Sequence, residues 1–257
     1  MTGHVLVEKA GGVLTLTLNR PEKKNALTRE MYRTLGEAID GAGDDPDVRC
    51  VLIQSEGDAF TAGNDLNDFA AEASGASDAL SREGNPLLAA LARARRPLVA
   101  AVQGRAVGVG VTMLLHCDLV FVADDAVLTT PFVNLALVPE AASSLLLPAC
   151  IGHARAFSMF VMGEAVDGHT AVAWGIANAA VPAAGLRERA RAAAEAIAAK
   201  PPEAVAKTRA LMRDEPAVVA RMERENAHFL EQLKSPEARE ALTAFAEKRP
   251  PNFGEVS

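Results

Sequence analysis

One carboxylate in this sequence stands where it could move a proton. Glu140 lies in Leu137-Val138-Pro139-Glu140-Ala141-Ala142-Ser143-Ser144-Leu145, an otherwise apolar stretch at the start of a helical pattern. Apolar neighbours raise a carboxyl pKa and a helix N-terminus lowers it. Glu140 therefore reads either as an exposed acid favoured by the helix dipole or as a general base. A second feature is Gly104-Arg105-Ala106-Val107-Gly108-Val109-Gly110. Its spacing does not fit a dinucleotide fingerprint, and no Gly-Lys-Ser/Thr phosphate loop occurs. These glycines either let a strand turn sharply into a helix or leave backbone N–H groups free at the helix start, where they could stabilise an oxyanion. The third feature is Ala59-Phe60-Thr61-Ala62-Gly63-Asn64-Asp65-Leu66, a loop directly after an apolar strand. It is an ordinary turn with Asx chemistry at Asn64 or Asp65, or a ligand loop at the carboxyl end of a strand.

Other chemistries find little support. The five histidines, His4, His116, His153, His169 and His228, have no second ligand at i+3 or i+4, so no metal site is expected. Ser143 and Ser144 lie outside any Gly-x-Ser-x-Gly elbow. Cys50, Cys117 and Cys150 are an odd number in apolar stretches, read as buried free thiols in a reducing compartment. The net charge of −7 argues against a general nucleic-acid binder. No secretory signal, membrane span or peroxisomal C-terminus is visible, which gives a cytoplasmic expectation.

The elements that must hold these residues follow an α/β pattern. Val5–Lys9 and Val13–Asn19 read as a hairpin across Ala10-Gly11-Gly12. Thr28 caps a helix to about Asp40 with Met31, Leu35 and Ile39 on one stripe. Cys50–Gln54, Leu98–Val102, Leu119–Val122 and Val127–Thr130 are strands, and a helix covers Pro86–Arg95. Residues 70–84, rich in Ala, Ser, Asp and Glu, read as a mobile loop. The glycine-rich stretch is expected to open a helix ending near Cys117. After Pro139 the chain reads as almost all helical, with prolines at first turns. Residues 1–195 are expected to form a core and 196–257 a helical extension.

The residues also carry a resemblance. Asn19-Arg20-Pro21-Glu22-Lys23-Lys24-Asn25-Ala26-Leu27, the Ala62-Gly63-Asn64-Asp65-Leu66 loop, the Gly104–Gly110 stretch followed by Cys117-Asp118, and Phe245-x-x-Lys248-Arg249-Pro250 fall in the order of the crotonase superfamily. The resemblance covers the whole chain. It implies an α/β spiral of ββα units with a C-terminal helical trimerisation module, homotrimers or hexamers built as dimers of trimers, and acyl-CoA thioester substrates. It implies no separate cofactor, coenzyme A being part of the substrate. By motif position the oxyanion donors fall at the backbone N–H groups of Asn64 and Val109. Lys23, Lys24, Ala26, Ala62, Asp65, Leu66, Gly108 and Phe132 fall at positions that meet the CoA or acyl group. Phe245 and Lys248 resemble a C-terminal pair that reaches a neighbouring subunit's CoA, and local positive charge is expected at Lys23, Lys24, Lys248 and Arg249.

The departures from the hydratase pattern are informative. Enoyl-CoA hydratases carry two glutamates, and the matching positions here hold Thr112 and Phe132. Such surroundings would exclude a second acid and a reactive water. The chain resembles instead the peroxisomal-type monofunctional Δ3,Δ2-enoyl-CoA isomerases, whose single catalytic glutamate follows a proline and precedes two serines, as in Pro139-Glu140-Ala141-Ala142-Ser143-Ser144. That resemblance implies a double-bond shift in 3-enoyl-CoA, feeding β-oxidation. The alternatives are another crotonase reaction, such as hydration or thioester hydrolysis using Asp65 or Asp68, and CoA-ester binding without turnover.

Overall fold

The computed structural model of the chain describes residues 3–65, 67, 68, 71 and 84–256. Leu66 and nearly all of the loop expected over 70–84 lie outside the described residues.

The fold starts with β1 (Val5–Ala10) and β2 (Val13–Leu18), an antiparallel hairpin whose turn residues Gly11 and Gly12 both have positive φ. β2 is buried along its whole length and pairs in parallel with β3 (Cys50–Ser55). The sheet continues in parallel through β4 (Leu98–Val102), β6 (Leu119–Ala123) and β9 (Ala179–Val181). Burial on both faces explains why β3 and β4 read as continuous apolar runs. A smaller sheet joins β5 (Arg105–Val107), β7 (Val127–Thr129) and β8 (Val166–Asp167).

Helices cover the large sheet. α1 (Arg29–Asp44) starts at Thr28, whose Oγ1 accepts from Met31 N, and α2 (Pro86–Arg93) starts at Asn85, whose Oδ1 accepts from Leu88 N. The two helices touch through Gly36, where a Cβ would lie 2.8 Å from the Pro86 backbone. Then come α3 (Val109–Thr112), α4 (Ser143–Ile151), α5 (His153–Phe157), α6 (Gly168–Trp174) and α7 (Ala183–Ala198). The chain ends in α8 (Pro202–Leu211), α9 (Glu215–Leu233) and α10 (Pro236–Glu247). The ββα unit is visible in β1–β2–α1, β4–β5–α3 and β6–β7–α4. In the last two, the second strand leaves the large sheet for the small one. α9 returns to pack on α2 and α4, closing over the core.

Several expectations are corrected. α1 continues to Asp44 rather than stopping near Asp40, because Ala42 still faces the core. The glycine-rich stretch holds strand β5 before a single α-turn, followed by a 3-10 turn over Met113–His116. The second half is not almost all helical, since β8 and β9 interrupt it. Apart from these corrections, α7 packs on β3, β4 and β6. Among the thiols only Cys50 is fully buried, Cys150 is exposed, and all three are free. No helix among the described residues is long and apolar enough to cross a membrane.

Candidate active site

The Asn64 loop is fastened on both sides. Asn25 is fully buried, and its Nδ2 donates to Glu56 O and Ala59 O, both at 2.8 Å. Thr61 Oγ1 donates to Asn25 O at 2.7 Å, and Ala62 N donates to Lys24 O at 2.8 Å. On the other side Thr61 forms a parallel bridge with Ala106 of β5. Gly63 runs so close to β5 that a Cβ would lie 3.0 Å from Val107 O, and its φ is +89°, which suits glycine alone.

This stitching sets the direction of two amides. In the bridge between Leu27 and Asn64, the hydrogen bonds run from Leu27 N to Gly63 O and from Asp65 N to Leu27 O. The Asn64 N–H must therefore point away from Leu27. Val109 is the first residue of α3, where an N–H has no partner within the helix. Among the described residues neither N–H donates to a protein acceptor. Gly108, the residue before α3, has φ +55° and ψ −114°.

Glu140 does not sit in the first turn of a helix. Ala141 and Ala142, both with positive φ, intervene before α4. Its Oε1 accepts from Thr112 Oγ1 at 2.5 Å, which ties Glu140 to the turn that begins at Val109. Burial pushes the carboxyl up to about 7, opposed by the Thr112 hydrogen bond and reinforced by the charge of Glu225. Glu140 lines a cavity of about 210 Å³ together with Asn64, Tyr32 and Asn85. Leu88 and Ala92 of α2 and Met222 and Phe229 of α9 supply much of its apolar wall. The Tyr32 hydroxyl donates to Asn64 Oδ1. Burial, then the nearby Glu140, raise the Tyr32 pKa well above its usual value, so Tyr32 stays a neutral donor.

The structure thus brings Glu140 and Asn64 to one cavity and joins Val109 to them through α3. Among the described residues, the other expected ones are not on that cavity's lining. Lys23 and Ala62 are exposed, and Ala26 is half-buried with its carbonyl accepting from Arg20. Lys24 is ion-paired with Asp58 at 2.6 Å on the surface, and Arg249 with Glu240 and Glu247 at 2.6 Å. Asp65 is engaged within the fold. Burial would raise its pKa, but the carboxylate accepts from Arg20 Nη1 at 2.7 Å and from Asn67 N at 3.0 Å. The net effect holds it below the usual range, as a structural ion pair and not an acid. Phe132 packs in the core with its ring centroid 6.0 Å from Phe160, off the cavity lining. Thr112 is no mere apolar filler, because its hydroxyl is spent on Glu140. Phe245 and Lys248 are exposed at the end of α10. Asn85, a polar residue ahead of a helix that from sequence could reach the pocket but is not among the expected site residues, lines the cavity, whereas Tyr32 and the α9 wall were missed as site residues.

A carboxyl poised near neutral pH beside free backbone donors suits proton transfer next to a carbonyl whose oxygen becomes negative. The family model for enoyl-CoA hydratase/isomerase matches residues 8–256, and the chain belongs to that family, the crotonase superfamily. It is similar to 1,2-epoxyphenylacetyl-CoA isomerase of Escherichia coli, 32% identical over 98% of this chain and 99% of that protein. It is also similar to enoyl-CoA delta isomerase 2 of Rattus norvegicus, 33% identical over 81% of this chain and 54% of that protein. An enoyl-CoA hydratase/isomerase structure from Pseudoalteromonas atlantica superposes with a TM-score of 0.90 at 39% identity, covering 98% of this chain and 100% of that one. Other relatives at the same level of identity are named probable enoyl-CoA hydratases.

Proposed function

We propose that the chain is a Δ3,Δ2-enoyl-CoA isomerase with Glu140 as its single acid–base group. The observation that carries this reading is one half-buried carboxyl, held at about 7, in a cavity shared with Asn64. The ionised Glu140 removes a proton from C2 of a 3-enoyl thioester. The C–H electrons form the C1–C2 double bond of a dienolate as negative charge moves onto the thioester oxygen; the C2–C3 double bond forms when that charge flows back. The N–H groups of Asn64 and Val109 hold that oxygen, and one such donor is typically worth about 3 kcal/mol. The protonated Glu140 then returns the proton at C4, the charge flows back, and the product is the conjugated 2-enoyl-CoA, a substrate for β-oxidation.

Hydration needs a second acid–base group. Thr112 and Phe132 stand at the positions where hydratases carry glutamates. Glu223, the other carboxylate on the cavity lining among the described residues, is on an exposed position of α9. The proposed assembly is a homotrimer or dimer of trimers, with Phe245 and Lys248 reaching a neighbouring subunit's CoA. Their exposure in the single chain supports that arrangement. The test offers purified protein 3-enoyl-CoA and 2-enoyl-CoA side by side. Conjugation of the first, seen in the ultraviolet, with no 3-hydroxyacyl-CoA from the second supports the proposal, and the reverse pattern overturns it.

A further inference from the structure

The segment that presents Glu140 is held by groups far away in the chain. Ala141 and Ala142 have φ of +60° and +55°, a left-handed backbone that alanine adopts unwillingly. Successive N–H groups in such turns converge into a concave site for an anion. Here the anion is a protein side chain. Glu225 of α9 accepts from Ala142 N through Oε2 at 2.6 Å and from Ser144 N through Oε1 at 2.9 Å. It is only 6% exposed and does not line the cavity. The charge of Arg221 acts on it, and Arg221 Nη1 donates to Ser144 Oγ at 3.1 Å.

The opposite edge of the turn is held by His116, which is fully buried. Its Nε2 lies 2.8 Å from Ala141 O, and a carbonyl can only accept, so Nε2 carries the hydrogen. Burial takes this imidazole down to about 4, so it stays neutral. The Nδ1 atom, left as an acceptor, faces Arg213 Nη2 at 3.5 Å. A buried carboxylate without a close ion pair is expensive, and nothing in the packing of α9 against α4 calls for one. Its bond to the amide of Ala142, two residues beyond Glu140, gives it a purpose.

We propose that Glu225 is a positioning residue for Glu140: by accepting the amides of Ala142 and Ser144 it holds the left-handed turn that aims Glu140 into the cavity. This rests on the reading of Glu140 as the base. The like charge of Glu225 also contributes to the raised pKa of Glu140. The other groups facing Glu140 are Thr112 and Tyr32, and Arg93 and Glu223 share the cavity lining.

The test is E225Q in the full-length protein. Glutamine keeps the shape but accepts through one oxygen only and carries no charge. The account expects kcat on 3-enoyl-CoA to fall roughly tenfold with KM within about twofold, the loss expected for a charged hydrogen bond. The acid limb of the kcat profile moves to lower pH, because a like charge has gone. The amides of Ala142 and Ser144 exchange with deuterium faster than in the wild type. E225D, shorter but still charged, keeps an acid limb near that of the wild type. If E225Q does not fold, E225D decides: reduced kcat with that limb supports the proposal, and wild-type kcat overturns it. Wild-type kcat, limb and amide protection in E225Q also overturn it. A wild-type protein that does not isomerise sinks the functional reading alone. Amide exchange and a 13C titration of the Glu140 carboxyl then still judge Glu225.

Discussion

Thr112 Oγ1 donates to Glu140 Oε1 at 2.5 Å, joining the first turn after the glycine-rich stretch to the carboxyl. A hydroxyl donor favours the ionised form, whereas burial and Glu225 favour the protonated one, and the balance falls at about 7. The base is thus half-ionised near neutral pH, so kcat should rise with pH through an acid limb near 7.

Thr112→Val removes the donor and keeps the shape. A hydrogen bond to a charged group contributes about 1.5–3 kcal/mol, so the acid limb should move up by roughly one to two pH units at about 1.4 kcal/mol each. The pH profile of kcat checks this, and an unmoved limb would show that the bond does not tune the base.

The raised pKa also makes a stability prediction. Between about 4.5 and 7 the folded protein binds a proton at Glu140 that the unfolded chain has released. Stability therefore falls as pH rises through that window. A displacement from 4.5 to about 7 corresponds to at most roughly 3 kcal/mol. Glu140→Gln should melt at a higher temperature than the wild type at pH 8, and the gain should shrink toward pH 4.5. Equal melting at both pH values would contradict the burial of the charge.

Tyr32 anchors Asn64 Oδ1 and so the loop that supplies one oxyanion donor. Tyr32→Phe loses one neutral hydrogen bond of about 1 kcal/mol. The expected effect is a fivefold to tenfold fall in kcat, to the order of magnitude, with KM little changed. Steady-state kinetics on 3-enoyl-CoA measure it.

A Cβ on Gly110 would lie 2.5 Å from Thr61 Cγ2, between α3 and the Asn64 loop, the two segments that carry the oxyanion donors. Gly110→Ala should destabilise by about 1–3 kcal/mol through overpacking. Adding Thr61→Ser, which removes that methyl and keeps the hydroxyl bond to Asn25 O, should recover most of the loss in denaturant melts. Additive losses would refute the contact.

Much of the large sheet was legible because β3 and β4 are apolar on both faces, β2 alternates leucine with threonine, and all three are bounded by turns. β5, β8 and β9 were not, being two or three residues long and held by pairing with distant strands. The candidate base was legible from a local pattern, one glutamate in an apolar stretch after proline. Its supports were not. Glu225 lies 83 residues from Ala142 and His116 lies 25 from Ala141, contacts with no local periodicity. The pairing of Asp65 with Arg20 spans 45 residues, so a loop carboxylate that looked available for ligand is spent on the fold.

The central claim is that Glu140 alone carries the proton. Its most direct test is the rate of conjugation of a 3-enoyl-CoA by wild type and Glu140→Gln at pH 8, followed in the ultraviolet. Removing the one acid–base group predicts a loss of roughly a hundredfold to ten-thousandfold in kcat with the fold intact; a variant that isomerises at the wild-type rate would contradict the account.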